Sequence, residues 1–484
     1  MNLSKILLWK WMLAVFLAAA GFLLLSHGSS LSQYFFDEDD FAYVSVAMDS
    51  SLPDYIFSRE YLVQEFPRPV THLYFWLIAG IAGQASWPFF LMNLLLYAGS
   101  TALVFRLLYR ISGSVAIGLL TGAFYLFSPC AADNLFWVAA GATGFLSGFL
   151  LLLTANIYVS SDYESRFKPK LMAWIAALLA MGSKESALSI PLVITLLDYL
   201  MNRTGTGRWK RLLPFYIIAA LMALNVVAVQ LSYSNDANFT RYGLSWMILR
   251  NLLHYILYPL VAVFPPDAGR YTVLKMVIYP VLWISPVFLG SRTSRKLLTA
   301  GILWVIITSL PYLPWSMGFQ GLLPEVCDIP SRYFNLPSIG AAVIAAGFIW
   351  MLHEKWGKVT SIAGSCILIL PLLITGVGLT RERAEPMLDG GYTAECLVEI
   401  MLDCWNGSDH FYVGSFGFRP FRIGCYNRMY FHGKLIQLQE FPAGVPAGTM
   451  MLTGPKTRPK VFVFNGTAWY EERAYESCVR SEEP

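Results

Sequence analysis

The stretch FFLMNLLLYAGSTALVFRLLYRISGS, Phe89 to Ser114, decides the fold. It carries no charged residue before Arg106, and its basic residues, Arg106 and Arg110, collect at one end. An apolar run of this kind suits a helix that crosses hydrocarbon, which needs roughly 20 such residues. Lys and Arg in the short loop beyond it mark the cytoplasmic side. Similar runs recur along a chain that is 56% hydrophobic, 15% aromatic and only 14% charged, with a mean hydropathy of +0.52. Soluble domains of this length are much more polar. The expected fold class is therefore an all-α polytopic membrane protein of about eleven spans. A net charge of +4, with basic residues scattered near the ends of apolar runs, excludes nucleic acid as a partner.

The basic loops set the orientation. Arg106 to Ser114, Arg166 to Lys170 and Arg203 to Arg211 follow the second, fourth and sixth runs, so all three read as cytoplasmic. SRTSRK, Ser291 to Lys296, and HEKWGK, His353 to Lys358, read the same way. The first run, Ile6 to Ser26, has the positive start of a signal peptide, but Lys10 can snorkel and we read a retained helix with a cytoplasmic N-terminus. WMILRNLLHYILYPLVAVF, Trp246 to Phe264, breaks the parity. Arg250 and His254 share one helix face at i, i+4, which suits an interfacial helix on the outer surface. The Gly182-Ser183-Lys184-Glu185 interruption splits a long apolar segment into two short helices meeting near the outer face. Irregular backbone at that depth is tolerated where it lines a wet cavity.

Beyond residue 379 the composition turns polar. Residues 1–379 are read as the membrane domain, with a first outer loop over about 27–87, and 380–484 as a small α+β extracytoplasmic domain. GYTAECLVEIMLDCW, from Gly391, has helical spacing; HFYVGSF, KLIQLQEF and KVFVFNGTAWYEE alternate like strands. Four of the seven cysteines, Cys396, Cys404, Cys425 and Cys478, lie in this tail, which favours disulfides. Cys396 and Cys404 are eight apart on the expected helix, about 12 Å, too far to bridge.

Chemistry concentrates at the outer ends of the runs. FFDEDDFAYVSVA, Phe35 to Ala47, places Asp37, Glu38, Asp39 and Asp40 side by side just beyond the first run. One or two acids would cap a helix there. Four repel one another, which suits a general base with a raised pKa, or a site for a divalent cation such as Mg or Mn ligated by Asp37, Asp39 and Asp40. No cofactor is required by the pattern. FPRPVTHLYFW holds Arg68 between two prolines and places His72 after it, where an extended arginine can meet an anionic headgroup. SPCAADNLFWVAAG puts Asp133 at the end of a span, with Trp137 a turn later. An acid there should face a cavity or cap the next helix. Lys184 in MGSKESALSIPL and Arg332 in PSRYFNLPSIG set positive charge on the side where the inside rule disfavours it, with Tyr333 beside Arg332 as a further candidate for binding substrate. Glu185 beside Lys184 offers a plain ion pair as the alternative. Together these residues suit sugar transfer from a polyprenyl phosphate.

The same blocks carry a resemblance. FDEDDF resembles the first-outer-loop acidic motif of C-type (GT-C) membrane glycosyltransferases, in the protein O-mannosyltransferase-like branch that includes the transmembrane-and-tetratricopeptide enzymes. RPVTHLYFWLIAG, SPCAADNLFWVAAG, SKESALSIPLVITLLDY and SRYFNLPSIG are similar, in order, to further blocks of that family. The resemblance implies an inverting glycosyltransferase using a dolichyl- or undecaprenyl-phosphate donor, with Asp37 as the base by position and Asp39 or Asp40 as the alternative base. The expected partners are that donor, a hydroxyl acceptor on protein, lipid or glycan, and membrane lipids, and the expected setting is a bacterial inner membrane with the tail periplasmic. A transporter or flippase of lipid-linked sugars, or a glycan polymerase or ligase, is the competing reading. Transporters tend to carry mid-membrane ionisable residues and inverted repeats, whereas here the acids cluster at a boundary and no repeat is visible.

Overall fold

The computed structural model describes residues 3–28, 35–36, 39–57, 68–160, 162–201, 207–232, 248–249, 251–252, 288, 290–313, 333–404 and five short strands beyond 410. The helices in chain order are α1 (Leu3–His27), α2 (Asp39–Asp49), α3 (Leu52–Phe57), α4 (Pro69–Ala82), α5 (Trp87–Ser112), α6 (Val115–Leu126), α7 (Ala132–Phe136), α8 (Val138–Tyr158), α9 (Phe167–Met181), α10 (Ile190–Leu200), α11 (Arg208–Ser232), α12 (Arg292–Ser309) and α13 (Asn335–Cys404).

Five of these are long and apolar enough to cross a membrane, or six if α6 and the segment after it, bent by 55°, form one broken span rather than a re-entrant loop. The fold is that of a polytopic α-helical membrane protein. These counts are of the described residues; Arg250 and His254, on which the expected interfacial helix rests, lie outside them, as do Asp37, Glu38, Arg332, Cys327, Cys425 and Cys478.

Burial separates a central layer from a peripheral one. In the spanning windows of α5, α8 and α13, 72%, 78% and 78% of residues are buried, against 11% for α1 and 11% for α11. Small residues allow the central helices to approach closely. A Cβ on Gly301 of α12 would stand 2.7 Å from the Gly340 carbonyl of α13, and one on Gly340 would stand 2.6 Å from the Gly301 carbonyl. Helix α13 breaks at Gly357, whose φ of 85° suits a glycine, within the basic segment expected to be a turn.

The described part of the stretch expected as the first outer loop is largely helical, holding α2, α3 and α4. The segment from Phe167 to Leu200 divides as the Gly-Ser-Lys-Glu interruption implied, into α9, a 3₁₀ turn over Glu185–Ser189, and α10. Towards the tail, α13 runs through position 380 and on to Cys404, so the expected boundary falls inside helical backbone. The strands β1 (Phe411–Val413), β2 (Leu435–Gln437), β3 (Met450–Thr453), β4 (Lys460–Phe464) and β5 (Trp469–Ala474) form one sheet in the order β2-β1-β3-β4-β5. β1 lies parallel to β2 and β3, while β3, β4 and β5 are antiparallel. Cys396 is disulfide-bonded, and its partner is not among the residues whose side chains are described.

The two ends of α8 differ in chemistry. At its Tyr158 end the tyrosine hydroxyl donates to Asp198 Oδ1 at 2.6 Å, and Arg208 and Arg211 close on the same carboxylate at 3.0 and 3.3 Å. The candidate site lies at the Val138 end.

Candidate active site

Helix α8 begins at Val138 with no side-chain cap from its neighbour Trp137. Asp40, 99 residues earlier in α2, meets that need: its Oδ1 accepts the Ala139 backbone N–H at 2.7 Å. Its carboxylate is only 1% exposed. A buried anion at the positive end of a helix is well placed on both counts. One of the four adjacent acids thus anchors α2 to the central layer. Asp39 is described in its backbone alone, and α2 starts at Asp39 rather than at Asp37.

One turn on from Asp40, Tyr43 ties α2 to α4, its ring stacked 4.7 Å from that of Phe75. Tyr55 of α3 donates to the Tyr43 carbonyl at 2.8 Å. Arg68 stands at the start of α4 with Pro69 after it, which presets the first turn without an unsatisfied amide. Its guanidinium turns to the helix break: Nη2 and Nε reach Glu185 Oε2 at 3.0 and 3.3 Å, and Nη1 approaches the Tyr43 hydroxyl at 3.5 Å. Two backbone-directed bonds clip the same elements together, Val70 N–H to the Gly182 carbonyl at 3.1 Å and the Thr71 hydroxyl to the Ser183 carbonyl at 2.8 Å.

Glu185 therefore pairs with Arg68, and the arginine, expected to meet an anionic headgroup, is engaged by a carboxylate of its own chain. Glu185 lies in the break between α9 and α10, outside the spanning helices. Burial alone would raise its pKa, but Arg68 and then Lys184 overcome that and hold it below the ordinary value. His72, in a 14-residue helix too short to cross, is 2% exposed. It packs 5.0 Å from the Tyr55 ring. Its pKa is held down to about 4, by burial first and the Arg68 charge second, so the ring is neutral at pH 7.

Lys184 is 4% exposed, with its ammonium 5.7 Å from the centre of the Tyr333 ring, within the range of a cation–π contact. Tyr333 in turn meets Tyr312 edge-on at 5.0 Å. Asp133 is buried in the first turn of α7, and its carbonyl accepts the Trp137 N–H at 2.9 Å. Behind it, Asn93 donates to the Asn134 carbonyl at 3.4 Å, and Gly141 lies against both groups so closely that a Cβ would overlap them.

A chain of contacts thus links α2, α4, the 182–189 break and the segment entering α13. It brings Arg68, His72 and Glu185 together, sets Lys184 on Tyr333, and fixes Asp40 on α8. Asp37, Glu38, Arg250, His254 and Arg332 lie outside the described residues. Sequence reasoning missed Tyr43, Tyr312 and the Ala139 amide. Only Tyr43 left a signal, one turn beyond Asp40 on the same helix. Among the described residues no three His, Cys, Asp or Glu side chains converge as metal ligands; two of the three acids expected for Mg or Mn have no described side chain.

No protein-family description and no curated relative matches the chain. Among solved structures it is similar to ArnT from Cupriavidus metallidurans bound to undecaprenyl phosphate, at 15% identity and a TM-score of 0.48, covering 92% of this chain and 93% of that one. The apo state of ArnT from the same organism gives 14% identity, a TM-score of 0.45, and coverage of 91% and 94%. The apo oligosaccharyltransferase of Archaeoglobus fulgidus gives 11% identity and a TM-score of 0.48, covering 90% of this chain and 66% of that one.

Proposed function

We propose that the chain is a GT-C-type membrane glycosyltransferase that moves a sugar from a polyprenyl-phosphate carrier to an acceptor hydroxyl, with inversion, in a pocket open to the outer face. The observation that carries this reading is the gathering of buried ionisable side chains at one end of the bundle: Asp40, Arg68, His72, Asp133, Lys184 and Glu185. In a membrane protein such groups are expensive and mark a functional site. On the positive-inside reading this end faces outward, with the N-terminus cytoplasmic and the tail extracytoplasmic.

In this account the base takes the proton of the acceptor hydroxyl as its oxygen attacks the anomeric carbon. The bond from that carbon to the phosphate oxygen breaks, and the carrier phosphate leaves with the electron pair. Asp37 is the base. Asp40 is less available for that role, because its Oδ1 already accepts the Ala139 N–H and ties α2 to α8. Lys184, with Arg332, offsets the charge that grows on the departing phosphate, the electrostatic task usually worth most in such sites. Asp133 orients sugar or acceptor. The Arg68–Glu185 pair holds the break in place and so positions Lys184.

Mass analysis of lipid-linked sugars and surface glycans, in cells with and without the gene, tests the reading. A sugar-bearing polyprenyl phosphate should accumulate when the protein is lost, with its sugar missing from one acceptor. Unchanged carrier and glycan pools in cells that normally express the protein would contradict it.

A further inference from the structure

A second charged cavity lies at the opposite end of the bundle, where α8 ends at Tyr158. A helix of 21 residues spans about 32 Å, so this cavity and the candidate active site are separated by a membrane thickness. It measures about 250 Å³ and opens between α1, α5, α8 and α9. Apolar side chains, among them Met12, Ile157 and Met172, form its walls, and its charged lining groups are Arg106, Arg110 and Asp162.

The arginines are not simple anchors reaching for water. Arg106 lies with its guanidinium carbon 5.3 Å from the centre of the Trp9 ring, and its Nε is buried with no hydrogen-bond partner among the described residues. Arg110 places one Nη on the Asn156 carbonyl at 3.3 Å, near the C-terminus of α8. Two guanidinium groups face one carboxylate, so the lining carries excess positive charge. Lys168 and Lys170 flank the lining Pro169 in sequence and add positive charge to this part of the chain. A buried donor with no partner, in a cavity walled by membrane helices, calls for an anion that arrives with its own apolar body.

We infer that this pocket binds the headgroup phosphate of an anionic glycerophospholipid. Arginine is suited to planar, forked recognition of phosphate, and basic clusters at a membrane boundary attract anionic lipid. The acyl chains lie along the outward faces of α1 and α9, which expose Leu13 and Leu17, each at 58%, and Ile175 and Leu178 at 47% and 48%. A lipid there would tie the peripheral α1 to the central layer.

Native mass spectrometry of the full chain in detergent tests this. Phosphatidylglycerol and phosphatidylcholine of equal chain length are offered in turn, with inorganic phosphate as competitor. One phosphatidylglycerol should be retained about tenfold more tightly than phosphatidylcholine. Arg106→Gln should weaken it about fivefold, the equivalent of roughly 1 kcal/mol per basic residue. Met172→Glu should weaken it at least as much by setting a competing carboxylate in the wall. Met172 is 50% exposed, so this variant keeps the fold, which circular dichroism verifies. Equal retention of the two lipids, or phosphatidylglycerol binding unchanged in Met172→Glu, overturns the inference. Displacement of the lipid by inorganic phosphate at equal concentration also overturns it and assigns the pocket to a soluble anion.

Discussion

Arg68 Nη2 stands 3.0 Å from Glu185 Oε2 across 117 residues of chain, and this contact locks the start of α4 to the break between α9 and α10. Both side chains are largely buried, with 15% and 12% exposure. Removing one partner of a buried pair strands the other charge, so Arg68→Ala should cost about 3 to 5 kcal/mol. Thermal unfolding in detergent measures the loss. A change near zero would mean that the pair adds nothing.

The same region should make stability fall in two stages on acidification. His72 is held at about 4 rather than 6.5. The unfolded chain takes up a proton that the folded one refuses, and stability drops from pH 6.5 down to about 4 by roughly 3 kcal/mol. Glu185 acts lower: its stabilisation is full above the ordinary value of 4.5 and is lost as pH falls through its depressed folded value. His72→Phe should remove the first stage and Glu185→Gln the second. Unfolding midpoints from pH 7 to 3 that keep both stages in both variants would refute this assignment.

Gly141 has no room for a side chain, since a Cβ would overlap the Asn93 amide and the Asn134 carbonyl. Gly141→Ala should therefore destabilise the protein by about 1 to 3 kcal/mol, the usual effect of overpacking, although alanine is the better helix former. A stabilised variant in the same unfolding assay would contradict the close contact.

The described spans and the helix break were legible because each rests on local pattern: an apolar run ended by arginine for α5, and Gly-Ser-Lys-Glu in an otherwise apolar segment for the 182–189 turn. Alternation placed β1, β2, β4 and β5, while MMLT at β3 lacks it and passed unnoticed. The site's wiring was not legible, because its partners are far apart in sequence. Neighbourhood offered Lys184 to Glu185, and the folded chain adds Arg68 from 117 residues away. Asp40 looked like one acid among four, and only the packing of α2 on α8 gives it the Ala139 amide.

Cys396 should be joined to Cys425 or Cys478. Cys404 lies on the same helix eight residues on, about 12 Å away, beyond the reach of a disulfide. Peptide mapping without reductant decides it, and a Cys396–Cys404 bridge would break the helix assignment.

If the tail is extracytoplasmic, alkaline phosphatase fused after Pro484 should be active in intact bacterial cells, and a cytosolic reporter at the same point should be silent. The reverse pattern would invert the topology and move the candidate active site to the inner face.

The central claim is that the acidic stretch supplies the base. Asparagine keeps the size of aspartate and caps helices nearly as well, so Asp37→Asn and Asp39→Asn should leave folding nearly intact while removing a basic oxygen, whereas Asp40→Asn also weakens the buried contact with the Ala139 amide and should lower the unfolding midpoint. Loss of a general base costs about 10²- to 10⁴-fold in rate, roughly 3 to 5 kcal/mol of transition-state stabilisation. The direct measurement is single-turnover transfer from a radiolabelled polyprenyl-phosphate sugar by the three purified variants, alongside their unfolding midpoints. The account expects Asp37→Asn to lose transfer on that scale at unchanged midpoint, with Asp40→Asn affected less. Near-normal transfer in all three variants would contradict it and leave the acidic stretch as a structural cap.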